Sequence, residues 1–151
     1  MPPSKNNFHG QHTNENLYVF EGAVDCLSHA SIAQICGTDW NGYRLSLGGV
    51  SGLALISFLE NNPQINNVYL CLDNDKPGKE ATERLAENLL EDEKHNSINI
   101  YFAPPPIGND YNDTVLFMQE KVKEHKLQTE KSLVPEKQKS VVNKKRSEAV
   151  L

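Results

Sequence analysis

The sequence predicts an α/β fold of about four mostly parallel strands with helices on both faces of the sheet. Short apolar runs alternate with longer segments in which apolar residues recur at helical spacing, giving the order β-α-β-α-β-α-β-α. Strands that alternate with helices are joined by right-handed crossovers, which make the strands parallel and cover both faces of the sheet.

Each predicted strand is a short apolar run that stops at glycine, proline or acidic residues. The four runs are Leu17–Phe20, Tyr43–Leu47, Val68–Leu72 and Ile98–Ala103. Asp73, Asn74 and Asp75 follow the third run at once, and Pro77 and Gly78 then interrupt the chain. Because strand side chains alternate between faces, we expect Asp73 and Asp75 to point the same way.

Each predicted helix carries apolar residues at a spacing of three or four. The four segments are Ala23–Ile35, Ser51–Asn61, Lys79–Lys94 and Asp110–Glu124. In the first, the residues Ala23, Leu27, Ala30 and Ile32 are apolar at roughly helical spacing. The third shows the clearest apolar stripe, formed by Ala81, Leu85, Ala86, Leu89 and Leu90.

The composition suits a globular protein without a membrane span. Of 151 residues, 38% are hydrophobic and 23% charged, and no apolar stretch approaches the ~20 residues that cross a bilayer. The polar N-terminus has no apolar core, so it is not a secretory signal. Three cysteines without a CxxC pair argue against disulfides and a zinc ribbon, and favour a cytoplasmic location.

The charge is distributed unevenly along three predicted regions. The sequence predicts a flexible leader at residues 1–16, a folded domain at residues 17–125 and a basic flexible tail at residues 126–151. The net charge is −5, and the tail, with seven Lys or Arg and three Glu, contributes +4. The remaining −9 is a poor surface for duplex DNA unless metal neutralises part of it.

Unusual residues follow each predicted strand, where ligands bind in parallel sheets. Glu21 follows the first strand, Gly48-Gly49 the second, and Asp73 and Asp75 the third. Carboxylate oxygens favour Mg²⁺ or Mn²⁺, and Glu21 could bind metal or act as a general acid/base. The alternative is that Glu21 only stabilises a helix N-terminus and the aspartates only begin a turn.

Several common phosphate and metal motifs are excluded. GxxxxGK[ST] is absent, and Gly48–Gly52 falls short of GxGxxG. DNDKPG begins like a calcium-binding EF-hand loop, but Pro77 and Arg84 stand where oxygen ligands are needed.

Two motifs carry a resemblance to a known family. VFEG at Val19–Gly22 and LDNDKPGKEA at Leu72–Ala81 resemble the Toprim domain. That domain is shared by bacterial primases, type IA and type II topoisomerases, recombination mediators and overcoming-lysogenisation-defect nucleases. The longer match, VFEGAVDCLSHA, LSLGGVSGLAL and LDNDKPGKEA, most resembles the Toprim segment of primase-like proteins of bacterial mobile elements. It covers roughly Leu17–Glu124 and implies a Rossmann-like Toprim fold.

The resemblance also implies roles for individual residues. Glu21 would be the catalytic acid/base and could also contact metal, and Asp73 and Asp75 would bind Mg²⁺ or Mn²⁺. A third acidic element would come from Asp110 and Asp113, with the alternative that Asp110 or Asp113 only caps the last helix.

Three further residues have weaker assignments. Lys79 and Gly49 are possible phosphate contacts, although Lys79 could equally be a solvated first-turn lysine. Asp25 lies one helical turn beyond Glu21 and would support the site or simply be a solvated acid.

The implied function is a primase-like Toprim module for DNA replication or mobile-element DNA processing. It would act on DNA or RNA with companion primase, helicase or relaxase domains or proteins, since the chain has no zinc ligands for a primase zinc module. Two alternatives remain open: a standalone Toprim nuclease, and a non-catalytic module that binds nucleic acid or a partner protein.

Overall fold

The computed structural model describes residues 14–49 and 51–132 of the chain. The strands are Asn16–Phe20 (β1), Tyr43–Ser46 (β2), Asn67–Leu70 (β3) and Asn99–Phe102 (β4). The helices are Ala23–Ile35 (α1), Leu53–Asn61 (α2), Lys76–Glu91 (α3) and Tyr111–Ser132 (α4). Strands and helices alternate in the predicted order.

The four strands form one parallel sheet in the order β2-β1-β3-β4. The chain moves from β1 outward to β2 on one side, and from β3 outward to β4 on the other. The point between β1 and β3 is therefore a topological switch point, where the carboxyl ends of the strands open into a crevice. The predicted α/β fold is confirmed.

Two apolar layers cover the sheet. On one face, Leu17, Val19, Val68 and Leu70 pack with buried residues of α2 and α3. The buried residues of these two helices are Leu55, Leu59, Ala81, Leu85, Ala86 and Leu89. On the other face, a smaller cluster centred on Phe20, Cys71 and Tyr111 packs with α1. Helices thus lie on both faces, as expected from the crossovers.

A row of aromatic rings crosses this second face. Tyr18, Tyr69 and Tyr101 occupy matching positions on β1, β3 and β4. Their ring centroids lie 4.4 Å and 4.8 Å apart, with the rings nearly parallel. Trp40 meets Tyr18 edge-on and holds the guanidinium of Arg44 3.5 Å from its ring centroid. These contacts stabilise the sheet through cross-strand pairs.

The turn after β3 differs from the prediction. The strand ends at Leu70, and α3 begins at Lys76, three residues earlier than expected. Asp75 is consequently the N-cap of α3 and not a strand residue, so strand alternation does not orient Asp73 and Asp75. Pro77 in the first helical turn explains the early start, because proline suits that position.

The buried face of α1 does not coincide with its apolar residues. Leu27 is 69% exposed, whereas Asp25 and Ser28 are buried. Asp25 faces inward because its carboxylate accepts hydrogen bonds from the backbone N–H groups of Gly22 and Tyr111. In α3 the predicted stripe is correct except for Leu90, which is exposed.

The chain divides into two compact units, residues 1–115 and 116–151. In the second unit, the described part is the portion of α4 from Leu116 to Ser132, where Lys121 pairs with Glu124 at 2.8 Å. The helix continues through residues 126–132, which we expected to belong to the tail, because no glycine or proline precedes Pro135 there. The predicted leader up to residue 13 and the rest of the tail lie outside the described residues.

Within the described part of the chain, none of the helices combines the length and apolar character that crossing a bilayer requires.

Gly78 allows α3 to start directly against the turn after β3. A Cβ at this position would overlap the carbonyl oxygen of Asp73 and would lie 2.9 Å from its carbonyl carbon. The N–H of Gly78 also donates to Asp75 Oδ1 at 2.8 Å. Gly78 therefore fixes how closely the helix approaches Asp73.

We predict that Gly78→Ala lowers the free energy of unfolding by about 2–3 kcal/mol, because the new methyl group must displace the backbone of Asp73. Urea denaturation measures this. Gly37→Ala is the matched control: its Cβ would meet open space, and its cost is only the left-handed backbone, about 1 kcal/mol. A loss at Gly78 no larger than that at Gly37 would contradict the prediction.

Candidate functional site

The carboxylates gather at the switch point between β1 and β3. Glu21 follows the last residue of β1, and Asp73 stands three residues beyond the end of β3. The N–H of Cys71 donates to the carbonyl of Val19 at 2.8 Å, which keeps the two chain segments paired beyond the end of β3. Glu21 and Asp73 therefore emerge into the same crevice.

Glu21 holds an unusual oxygen atom. Its Oε2 is buried without a hydrogen-bond partner. Burial raises the pKa of Glu21, the charges of Asp75 and Asp25 raise it further, and a hydrogen bond from the backbone of Asp73 opposes them. A buried carboxylate oxygen without a partner is costly unless a proton or cation reaches it.

Asp73 is the most strongly perturbed carboxylate of the site. Burial raises its pKa to about 6, and the charges of Glu21, Asp25, Asp110 and Asp75 contribute in that order. Four negative side chains thus act on Asp73, which makes it the electrostatic centre of the cluster.

Asp75 has a structural role besides its charge. Its Oδ1 accepts the N–H of Gly78 and caps α3. Its charge nevertheless raises the pKa of both Glu21 and Asp73. The three acids that the sequence singled out therefore lie at the same end of the sheet and interact through their charges.

Asp25 is buried and not the solvated acid that the sequence left open. Burial raises its pKa and the charge of Asp110 adds to this, while backbone N–H groups of Tyr111, Asp25 and Gly22 lower it. Asp25 therefore connects the start of α1 with the start of α4.

Asp110 and Asp113 take part in capping α4. Asp110 Oδ1 accepts the N–H of Asp113 at 2.7 Å, and Asp113 Oδ2 accepts the N–H of Asn109 at 2.8 Å. Asp110 also acts on the pKa of Asp25 and Asp73, so it belongs to the acidic cluster as well as to the cap. No corresponding influence of Asp113 on the cluster is seen in the described residues.

Asn74 is a positioning residue that sequence reasoning missed. Its Nδ2 donates to the carbonyls of Pro105 and Gly108 at 3.0 Å and 3.1 Å, and its N–H donates to Asn109 at 2.7 Å. These bonds fasten the turn after β3 to the loop that carries Asp110. The signal in the sequence that could have indicated this role was the amide side chain of Asn74 between Asp73 and Asp75.

The two predicted phosphate contacts differ in availability. The N–H of Gly49 donates to the carbonyl of Glu21 at 3.0 Å, so this donor is already used within the chain. Lys79 is exposed on the first turn of α3 and lines a small cavity next to Asp73. Lys79 is therefore the better placed of the two to meet an anion.

The donor set suits a hard divalent cation, although the acids stand apart. Within residues 14–49 and 51–132, no three His, Cys, Asp or Glu side chains are close enough together to enclose a metal ion. All donors are carboxylate oxygens, one of them buried without a partner. This chemistry fits Mg²⁺ or Mn²⁺, which would relieve the repulsion that raises these pKa values.

We predict that Asp73→Asn raises Tm by about 4 °C at pH 7.5 in the absence of divalent metal. The folded-state pKa of Asp73 is raised to about 6, so protonation stabilises the fold fully below pH ~4, and this stabilisation is lost as the pH rises through ~6. Asparagine mimics the protonated form, which we expect to be worth about 1 kcal/mol after solvent screening.

Thermal unfolding in EDTA at pH 7.5 and pH 4 measures this difference. The gain should nearly disappear at pH 4, where Asp73 is already protonated. Asp39→Asn removes an exposed carboxylate from another loop and should leave Tm unchanged at both values. An equal gain for Asp73→Asn at both values would contradict the electrostatic explanation.

Two solved structures are similar to this chain at low sequence identity. No curated protein matches the sequence. The primase fragment of the bacteriophage T7 primase-helicase protein is 17% identical, with a TM-score of 0.47, over 73% of this chain and 43% of that one. The second is a structure of bacteriophage T7 lagging-strand DNA polymerase interacting with primase domains of two gp4 subunits bound to an RNA/DNA hybrid and dTTP. Its sequence identity is 18% and its TM-score 0.49, over 73% of this chain and 52% of that one.

This chain therefore spans about half or less of the matched chains. The family model described as Toprim-like, in contrast, matches residues 18–115, well over half of this chain. The matched region contains the strand ends that carry Glu21, Asp73 and Asp75. The chain belongs to the Toprim-like family.

Proposed function

We propose that this Toprim-like domain performs Mg²⁺-dependent phosphodiester chemistry on nucleic acid, in a primase-like role. The observation that carries the proposal is the buried, unpartnered Oε2 of Glu21 beside two aspartates at a topological switch point. Such an arrangement is unfavourable for a purely structural role, because repulsion and desolvation oppose folding at neutral pH.

Asp73 and Asp75 would hold the metal ion. The charge of Asp75 acts on both Glu21 and Asp73, and the carboxylate oxygens of the two aspartates are the ligands that Mg²⁺ prefers. When bound, Mg²⁺ supplies positive charge at a phosphate group and stabilises the charge that develops during transfer. Asp75 keeps its orientation through the N–H of Gly78.

Glu21 would act as the general acid/base. Its raised pKa brings its proton affinity closer to neutral pH than that of an ordinary glutamate, which suits proton exchange with a reacting hydroxyl group. The hydrogen bond from the backbone of Asp73 holds the carboxylate at the crevice. Asp25 and Asp110 would support the site through their charges, and Lys79 would meet the phosphate.

A primase-like role is supported by the motif resemblance, since VFEGAVDCLSHA and LDNDKPGKEA carry both strand-end acids. Such a role would involve DNA or RNA and companion primase, helicase or relaxase domains or proteins. The +4 charge of residues 126–151 is favourable for contact with a phosphate backbone.

We predict that Asp73→Asn and Asp75→Asn each weaken Mn²⁺ binding about tenfold or more, because each removes a charged ligand. Asparagine caps helices as well as aspartate does, so Asp75→Asn should leave the Tm of the protein unchanged while it weakens Mn²⁺ binding. Calorimetric titration and thermal unfolding measure the two effects. Glu80→Gln removes an exposed carboxylate from the same helix and is the control. Equal Mn²⁺ affinity in all variants would contradict the metal site.

We predict that Glu21→Gln lowers the rate of phosphodiester chemistry by about 10²–10⁴-fold, with a smaller effect on Mn²⁺ affinity. The assay incubates the protein with Mg²⁺, a single-stranded template, nucleoside triphosphates and structured RNA. Nucleotide incorporation supports the primase-like role, and cleavage supports a standalone nuclease. Metal binding without either reaction, also in the presence of companion proteins, would support a non-catalytic binding module.

A further inference from the structure

A small cavity lies next to the acidic cluster, on the α3 face of the sheet. Its volume is about 140 Å³, and it is lined by residues of β3, α3 and β4. Leu70, Leu72, Phe102 and Pro104 form its apolar walls. The polar residues of its lining are Asp73, Asn74, Lys79, Thr82 and Glu83. Asp73 is thus shared between the cavity and the carboxylate cluster.

Phe102 is the most unusual part of the cavity wall. It lies on the edge strand β4, opposite Leu70 of β3, and is 61% exposed. A single exposed phenylalanine is common on protein surfaces. Here, however, the ring borders a concave apolar space beside a charged site, which is the usual arrangement of a ligand pocket.

The size of the cavity limits what can enter it. Pockets for whole drug-sized ligands start at about 300 Å³, so this one takes only part of a ligand, such as a flat ring. The polar remainder would lie outside, where the ammonium group of Lys79 favours an anion. A planar apolar ring joined to an anionic group, close to a site for divalent metal, describes a nucleotide.

We propose that this cavity is a base-binding subsite, in which the nucleobase of a nucleotide packs against Phe102 while its phosphates lie toward Lys79. The proposal rests on the proposed function and adds the part of the substrate that the acidic cluster does not recognise. Base–aromatic packing tolerates all four bases, because every base has a flat π face.

The test compares the Mg²⁺ complexes of inorganic triphosphate and of each of the four ribonucleoside triphosphates by calorimetry. Wild-type protein should bind at least one nucleoside triphosphate about tenfold more tightly than inorganic triphosphate. Phe102→Ala should remove this difference and leave the affinity for inorganic triphosphate and for Mn²⁺ unchanged. Lys79→Ala should weaken both kinds of ligand and preserve the difference.

Tyr101→Ala is the matched control. Tyr101 is the neighbouring aromatic residue on the same edge strand, but its ring stacks on Tyr69 at the opposite face of the sheet. This variant should still bind the nucleoside triphosphate more tightly than inorganic triphosphate. The titration is done at a temperature below the Tm of the variant, where it is folded.

If inorganic triphosphate and all four nucleoside triphosphates bind with equal affinity, the base subsite is contradicted but the proposed function is not. A preference that survives Phe102→Ala would contradict the base subsite too. If wild-type protein binds neither class of ligand in the presence of Mg²⁺, the proposed function is contradicted along with it.

Discussion

Repulsion among carboxylates at the crevice between β1 and β3 is the constraint that the neighbouring structure is arranged to withstand. Three of these acids accept hydrogen bonds from backbone donors: Glu21 from Asp73, Asp25 from Gly22 and Tyr111, and Asp75 from Gly78. Three helices, α1, α3 and α4, also begin at this edge of the sheet. Their N-termini carry partial positive charge, which lowers the cost of gathering acids there.

The apolar layer between the sheet and the helices α2 and α3 supplies stability that offsets the repulsion in the acidic crevice. Leu17, Val19, Val68 and Leu70 are almost fully buried against α2 and α3, and burial of such side chains contributes about 1.5–3 kcal/mol each. The acidic crevice and this apolar layer share the same strands, so the repulsive groups stand on the most firmly packed part of the domain. A rigid scaffold of this kind keeps reacting groups in place.

The sequence was sufficient for the alternating fold and for placing Glu21 and Asp73 after neighbouring strands, because strand ends and apolar periodicity are local signals. It was insufficient where tertiary contacts decide. Asp25 faces inward and Leu27 outward because the N–H of Tyr111, far along the chain, donates to the carboxylate of Asp25. The capping role of Asp75 depended on where α3 begins, and the roles of Asn74 and Phe102 depended on which loops and strands become neighbours.

The row of tyrosines has a consequence for how the domain folds. Parallel strands pair residues that are distant in sequence, and such pairing is slow and can slip. Tyr18, Tyr69 and Tyr101 stack at spacings close to the distance between neighbouring strands. A slip of one residue in β3 would turn Tyr69 to the other face and break both stacks. It would also shift Asp73 by about 3.3 Å relative to Glu21, so correct ring stacking and a correctly assembled acidic crevice are the same folding event.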